Sequence, residues 1–301
     1  QAGVSNTTVT MNAASMDNSG FEFSATYRNR DRDFKYELSA NLSTLRNRVT
    51  SLGFGTDSYI SGAYITNVGQ EIGQFYGWAY EGIARTQEDL DNHATQEGAQ
   101  IGDCLYKDIS GPDGKPDGKV DANDQVVLGS GMPKIHFGLN ARFEYKRFDL
   151  SIATFGALNY HVSDDIYNSL NSCYGWGNKE VGMLDANRFS EDGSTYLSNV
   201  PRTYVTNSAS LGWNDLFSSR KIQNAAYWKI ANVELGYNFP NEWFGKYVSD
   251  VRFYVSAQNL HTFTGYHGYN VDYAGGTFTP GYNFCSYPTA RTFMCGVHFT
   301  F

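Results

Sequence analysis

No run in this sequence approaches the roughly 18 consecutive apolar residues of a membrane-crossing helix. Mean hydropathy is only -0.45. Neither fact speaks against a barrel, whose strands need only about 9–11 residues and one apolar face. Proline is scarce, 7 residues against 31 glycines. Few prolines leave strand amides free to donate, and glycines suit turns. Basic charge is in deficit: 23 Lys and Arg against 31 Asp and Glu give a net charge of -8. That excludes a nucleic-acid footprint, which would be basic and clustered.

Cysteine is also rare. Cys104, Cys173, Cys285 and Cys295 show no metal-type spacing. Cys295 sits in a strand pattern as a small apolar group, and a Cys173–Cys285 disulfide is open in an oxidising compartment. Catalytic signatures are missing too. His93, His136, His161, His261, His267 and His298 form no HExxH or i, i+4 pair, and no G-x-S-x-G or P-loop occurs. Asp164 and Asp165 are adjacent carboxylates, which point apart on a strand and cap a short helix in a loop. We expect no enzyme. The chain opens on Gln1, without Met or signal peptide, and reads as processed or as a piece of a longer protein.

Aromatic residues are abundant at 16%, with 22 Tyr and 20 Phe. That suits carbohydrate binding or a membrane-interface belt. Strict alternation is the main structural signal. In 135–146, Ile, Phe, Leu, Ala, Phe and Tyr occupy odd positions, while His, Gly, Asn, Arg, Glu and Lys occupy even ones. The stretches 34–43 and 21–28 repeat the pattern, and 148–155, 225–239, 251–261 and 291–301 show weaker versions. Further strands are expected near 72–84 and 101–109, for a total of about eight to ten.

A soluble sandwich would alternate as well. Three features favour an antiparallel transmembrane β-barrel. Short turns at 29–33 and 146–147 contrast with long segments at 158–224 and 262–289. Aromatics cluster beside the short turns: Phe34, Tyr36, Tyr145, Phe148, Tyr237, Phe239, Phe299 and Phe301. An alternating strand ends the chain on Phe301, as bacterial outer-membrane barrels do. Strand parity from that periplasmic end places 113–124, 158–224 and 262–289 outside the cell.

The stretch 113–124, "DGKPDGKVDAND", has nearly the spacing of a calcium-binding EF-hand loop, with Gly118 sixth. A structural calcium would take carboxylates from Asp113, Asp117 and Asp121, the Lys119 carbonyl, and Asp124 last. Lys115 at the third place cannot be a ligand, and Asp124 replaces the longer Glu. The other reading is a polar, turn-rich loop.

Several blocks resemble the C-terminal third of the SusC/RagA family of TonB-linked outer-membrane transporters of Bacteroidetes. They are "GQEIGQFYGWAYEGI" at 69–83, the run 106–152, "DDIYN" at 164–168, "YWKIANVELGYNFP" at 227–240, 251–270 and 287–301. The resemblance implies a 22-stranded barrel of which 1–301 is the C-terminal portion, lacking plug and TonB box. It implies import of oligosaccharides or oligopeptides through TonB, a SusD-like lipoprotein over the mouth, contact with membrane lipid, an outer-membrane location, and no required cofactor. Loop aromatics Tyr160, Tyr174, Trp176, Tyr204, Trp213, Tyr266, Tyr269, Tyr273 and Tyr282 are candidates for substrate contact, against packing within the loops. Arg142, Glu144, Glu234 and Arg252 line either a selective lumen or merely a solvated one. The competing architectures are a soluble calcium-binding β-sandwich lectin and a self-contained barrel of 8 or 10 strands.

Overall fold

The computed structural model describes residues 14–172, 178–181, 200–202, 212–245, 247–272 and 275–301. Seven strands form one antiparallel sheet. We number them β1 (Glu22–Asn29), β2 (Phe34–Thr44), β3 (Ile135–Tyr145), β4 (Phe148–Leu158), β5 (Tyr227–Asn238), β6 (Asp250–Thr264) and β7 (Thr292–Thr300). Each pairs with the next in chain order.

The alternation of 34–43 and 135–146 produces this register directly. Phe34 lies opposite Tyr145, Leu38 opposite Ala141, and Ile135 opposite Thr44, so apolar side chains share a face across the strands. Tyr145 then pairs with Phe148 across the two-residue turn at 146–147. Lys146 takes the positive φ of 55° that such a turn requires.

The apolar face is bare. Leu38, Leu139 and Leu235 remain 43–46% exposed in mid-strand, and Phe23, Val255, Phe293 and Val297 are exposed as well. A second sheet of a sandwich would cover them. The lectin alternative is therefore not the architecture observed. Aromatics gather at the short-turn end as expected. Phe34 stacks on Phe143 at 6.0 Å, Phe148 meets Tyr237 at 4.8 Å, and Tyr237 meets Phe239 at 5.0 Å.

The opposite face is polar and cross-linked. Arg252 of β6 donates from Nε (3.0 Å) and Nη2 (2.5 Å) to Asp149 of β4, and from Nη2 to Glu234 of β5 at 2.8 Å. The guanidinium spans β5 above Gly236, where a Cβ would come within 2.3 Å of it. Arg28 of β1 and Glu37 of β2 form a two-point pair at 2.7 and 3.2 Å.

Strands do form within 72–84 and 101–109, but outside the seven-stranded sheet. Gln74–Trp78 belongs to a four-stranded sheet with Ser58–Ser61, Tyr64–Asn67 and Gln125–Ser130. Tyr80–Ile83 pairs with Cys104–Tyr106. Both sheets lie in the 45–134 connection. The expected eight to ten wall strands are thus seven among the described residues.

The three long connections, 45–134, 159–226 and 265–291, all leave the end of the sheet opposite the short turns. They lock together. Cys104 N–H donates to Asn214 Oδ1 at 2.7 Å, and Trp78 N–H to the Phe217 carbonyl at 3.1 Å. Ser163–Asp164 pairs in parallel with Tyr282–Asn283. One apolar cluster joins Ala157, Tyr160, Val162, Ala225, Tyr266 and Val271, and another joins Cys104, Tyr106 and Val120.

Leu139 and Asn140 are neighbours on opposite faces of β3. If the bare face meets hydrocarbon, Leu139→Arg in full-length protein costs about 2–4 kcal/mol, and Asn140→Arg costs little. Unfolding in urea from lipid vesicles measures both. Equal costs would contradict the assignment of faces.

Candidate functional site

The aspartate-rich loop folds around its own amides. Asp124 is fully buried. Its Oδ1 accepts from the N–H groups of Ile109 (2.7 Å) and Ser110 (2.9 Å), and its Oδ2 from that of Asp121 (2.8 Å). Asp121 in turn accepts from Asn123 N–H at 2.7 Å, completing a reciprocal cap on the short turn Ala122–Asp124. Asp117 accepts from Lys119 N–H at 3.0 Å. Asp108 accepts from Gly118 N–H at 2.7 Å. Gly118 has φ +84°, a conformation that side chains disfavour.

Of the candidate ligands, Asp117, Asp121 and Asp124 are thus engaged with backbone amides of their own loop. Among the described residues, no group of three or more His, Cys, Asp or Glu is placed to hold a metal. Burial opposes ionisation of Asp124. The amides of Ser110, Asp121 and Ile109 outweigh it and hold the carboxyl below its ordinary value.

The aromatic candidates divide. Tyr160 and Tyr266 are buried. The Tyr266 hydroxyl makes a short hydrogen bond to Asp164 Oδ2, which also accepts from Asn283 Nδ2 at 2.9 Å. Asp164 Oδ1 caps the helix Asp165–Leu170 by accepting from Tyr167 N–H at 2.8 Å. The expected helix cap is thus present, within a buried network that ties the second long connection to the third. Burial raises the phenol pKa of both Tyr160 and Tyr266, so both stay protonated.

Trp213 is half-buried against Tyr106 and donates from Nε1 to the Glu97 carbonyl at 2.9 Å. These three residues pack loop against loop. Tyr269 and Tyr282 are exposed and available. Tyr174, Trp176, Tyr204 and Tyr273 lie outside the described residues, as does Cys173 and with it the Cys173–Cys285 pairing.

Tyr282 borders a cleft of about 550 Å³ among the long connections, shared with Tyr64, Asp165, Asn168, Asp215 and Lys221. Of these, only Tyr282 stands out in the sequence as a site candidate. Tyr64 is in "GAYIT" and Asp215 in "GWNDLF", contexts with no motif. They meet because the 212–224 segment docks on the 45–134 insertion, a pairing no local pattern encodes.

On the polar face, Arg252 and Glu234 are occupied with Asp149 and with each other, while Arg142 pairs with Glu144 at 3.1 Å and stays exposed. The Arg252 contacts fasten strand to strand, whereas Arg142 and Glu144 pair within β3.

Asp124→Ala leaves three amides without an acceptor, and we expect the loop to lose about 2 kcal/mol or more of local stability. The wild-type pKa is depressed by folding. The stabilisation is therefore full above about pH 3.9 and disappears as pH falls through the lower folded value. Hydrogen exchange over 108–124 in full-length protein reads both effects. Protection that rises with calcium at neutral pH would show that a cation, rather than the amides, holds the loop.

No family model matches the chain. Relatives are nevertheless clear. TonB-dependent receptor P3 of Formosa agariphila is 29% identical over 309 residues, covering 96% of this chain and 29% of that protein. TonB-dependent receptor P26 of the same organism is 27% identical over 308 residues, 96% of this chain and 30% of the relative. TonB-dependent receptor SusC of Bacteroides thetaiotaomicron is 25% identical over 303 residues, 98% of this chain and 27% of the relative. A structure of the RagAB peptide transporter superposes with TM-score 0.75 at 21% identity, over 96% of this chain and 29% of that one. The chain spans under a third of the length of these relatives. In both sequence and fold, then, the chain is SusC/RagA-like, similar over nearly all its length to a stretch of a TonB-dependent receptor.

Proposed function

We propose that this chain forms part of the wall and extracellular loops of an outer-membrane barrel that imports oligosaccharides or oligopeptides. The observation that carries the reading is the bare apolar face of the seven-stranded sheet, edged by aromatics at the short-turn end. A soluble protein rarely exposes so broad a patch, whereas a bilayer requires it. Strand lengths support it: β2, β3 and β4 are 11 residues each and β5 is 12, about what a tilted strand needs to cross.

Within this reading β1 and β7 are edges only in the described sheet. Their outer backbone groups need partners in hydrocarbon, which the remaining barrel of a protein as long as the relatives would supply. The long connections face outward from the cell. They meet substrate there beneath a SusD-like surface lipoprotein. TonB, engaged by a segment beyond these residues, drives release into the periplasm. The chain contributes binding and a passage, with no bond-making chemistry, no nucleic-acid partner and no required cofactor.

Pull-down of the full-length protein from outer membranes, with mass spectrometry of what accompanies it, tests the reading. A lipoprotein partner and a bound oligosaccharide or oligopeptide are expected, and uptake of that compound should stop when tonB is deleted. A protein recovered without detergent, or uptake indifferent to TonB, would overturn it.

A further inference from the structure

The cleft beside Tyr282 holds two buried polar atoms that no described residue satisfies. The Tyr64 hydroxyl and Asp215 Oδ2 have no hydrogen-bond partner among the described residues, and both residues line the same space. Each residue is only 8% exposed. Buried polar groups are ordinarily paired, and leaving one unpaired is costly. Glu71 Oε2, Gln74 Oε1 and Gln223 Nε2 of the same connections also lack partners among the described residues, but Tyr64 and Asp215 share one cleft.

Both atoms are held in place. The Tyr64 ring packs on Phe75 at 5.2 Å, and Phe75 stacks on Phe217 at 6.0 Å. Burial raises the Tyr64 phenol pKa, so the hydroxyl keeps its proton. Asp215 ends the short turn Trp213–Asp215. Lys221 Nζ donates to its carbonyl at 2.6 Å and lies 3.5 Å from Oδ1. One carboxylate oxygen thus faces a cation, while the other is buried without a partner among the described residues. Cavity size, about 550 Å³, falls within the roughly 300–1,000 Å³ of ordinary ligand sites.

We infer that this cleft binds a glycosyl unit of an uncharged oligosaccharide, whose hydroxyls donate to Asp215 Oδ2 and bond Tyr64 Oη. The inference rests on the import reading and names its substrate class. A sugar hydroxyl both donates and accepts, so neighbouring hydroxyls complement a bare acceptor and a phenol together. A peptide group carries both functions too, but on separate N–H and C=O atoms that point in opposite directions. Tyr282 adds an exposed ring, stacked with Phe284 at 6.5 Å, as a flat wall for the apolar face of a pyranose. Charge argues against acidic ligands. Among the described residues, Asp165 and Asp215 outnumber Lys221, which is already engaged, and no guanidinium lines the cleft to clamp a carboxylate or sulfate.

The test uses full-length protein with any co-purifying lipoprotein, in detergent. The probes are neutral hexasaccharides of glucose, mannose and xylose, oligogalacturonate, and a mixed oligopeptide library. Calorimetry should show a neutral hexasaccharide binding and the galacturonate not. Tyr64→Phe and Asp215→Asn should each weaken the neutral ligand about tenfold, the worth of one hydrogen bond to a buried group. Tyr64→Phe should leave the melting temperature unchanged, since it deletes an atom without a partner. Unchanged affinity in both variants would overturn the inference, as would a lower melting temperature for Tyr64→Phe, because another part of the protein would then be satisfying the hydroxyl. Peptide binding alone, with TonB-dependent peptide uptake, would overturn the sugar assignment and leave the import reading standing. Loss of TonB dependence for every probe would remove the import reading itself.

Discussion

Pairing of every backbone amide across neighbouring strands is the constraint from which the rest of this structure follows. Hydrocarbon offers no water to a stray N–H or C=O, so a chain that crosses a bilayer as strands must close each ladder on the next. Here β1 to β7 do so in simple chain order. That order forces short turns at one end and sends all long excursions out of the other. The alternation of apolar and polar residues then decides which face is left apolar and which polar. Charge pairs such as Arg252 with Asp149 and Glu234 fasten three strands together on the polar face without competing for the apolar one.

The long connections obey a different rule. Water is available to them, so they need not form one sheet, and they build several small ones. What unites them is burial of polar side chains against backbone. Asn214 receives Cys104 N–H and donates to Asp103, which also holds Arg202 by two bonds. Asp164 gathers Tyr167, Tyr266 and Asn283. Such networks are rigid where complete. Where they are incomplete, as at Tyr64 and Asp215, buried polar atoms are left that a ligand could pair.

Much of the wall was legible in the sequence because its information is local. The register of Phe34 to Ser43 on Ile135 to Tyr145 follows from the alternation alone. The weaker pattern of 225–239 and 251–261 has a physical cause: the ladder shifts register between Ile230 and Asn232, where Asn259 opposite takes a φ of 51°. After the shift Trp228 and Phe263 share the apolar face, stacked at 5.3 Å. The strands near 72–84 were visible, but their place was not, since periodicity says nothing about which sheet a strand joins. Tyr160 and Tyr266 read as ligand-facing because Tyr suits both surfaces and polar cores, and only docking of distant loops buries them. The EF-like spacing at 113–124 reflects the same ambiguity. Aspartate satisfies amides in a tight loop as readily as it satisfies a cation.

The central claim is that one face of this sheet meets lipid and the other water. Nitroxide labels at Leu139 and at Asn140 in full-length protein, reconstituted in vesicles, test it most directly. Collision with dissolved oxygen should dominate at 139 and collision with an aqueous nickel complex at 140, and the contrast should invert at each further step along β3. Equal access of the nickel complex to both positions would contradict the account.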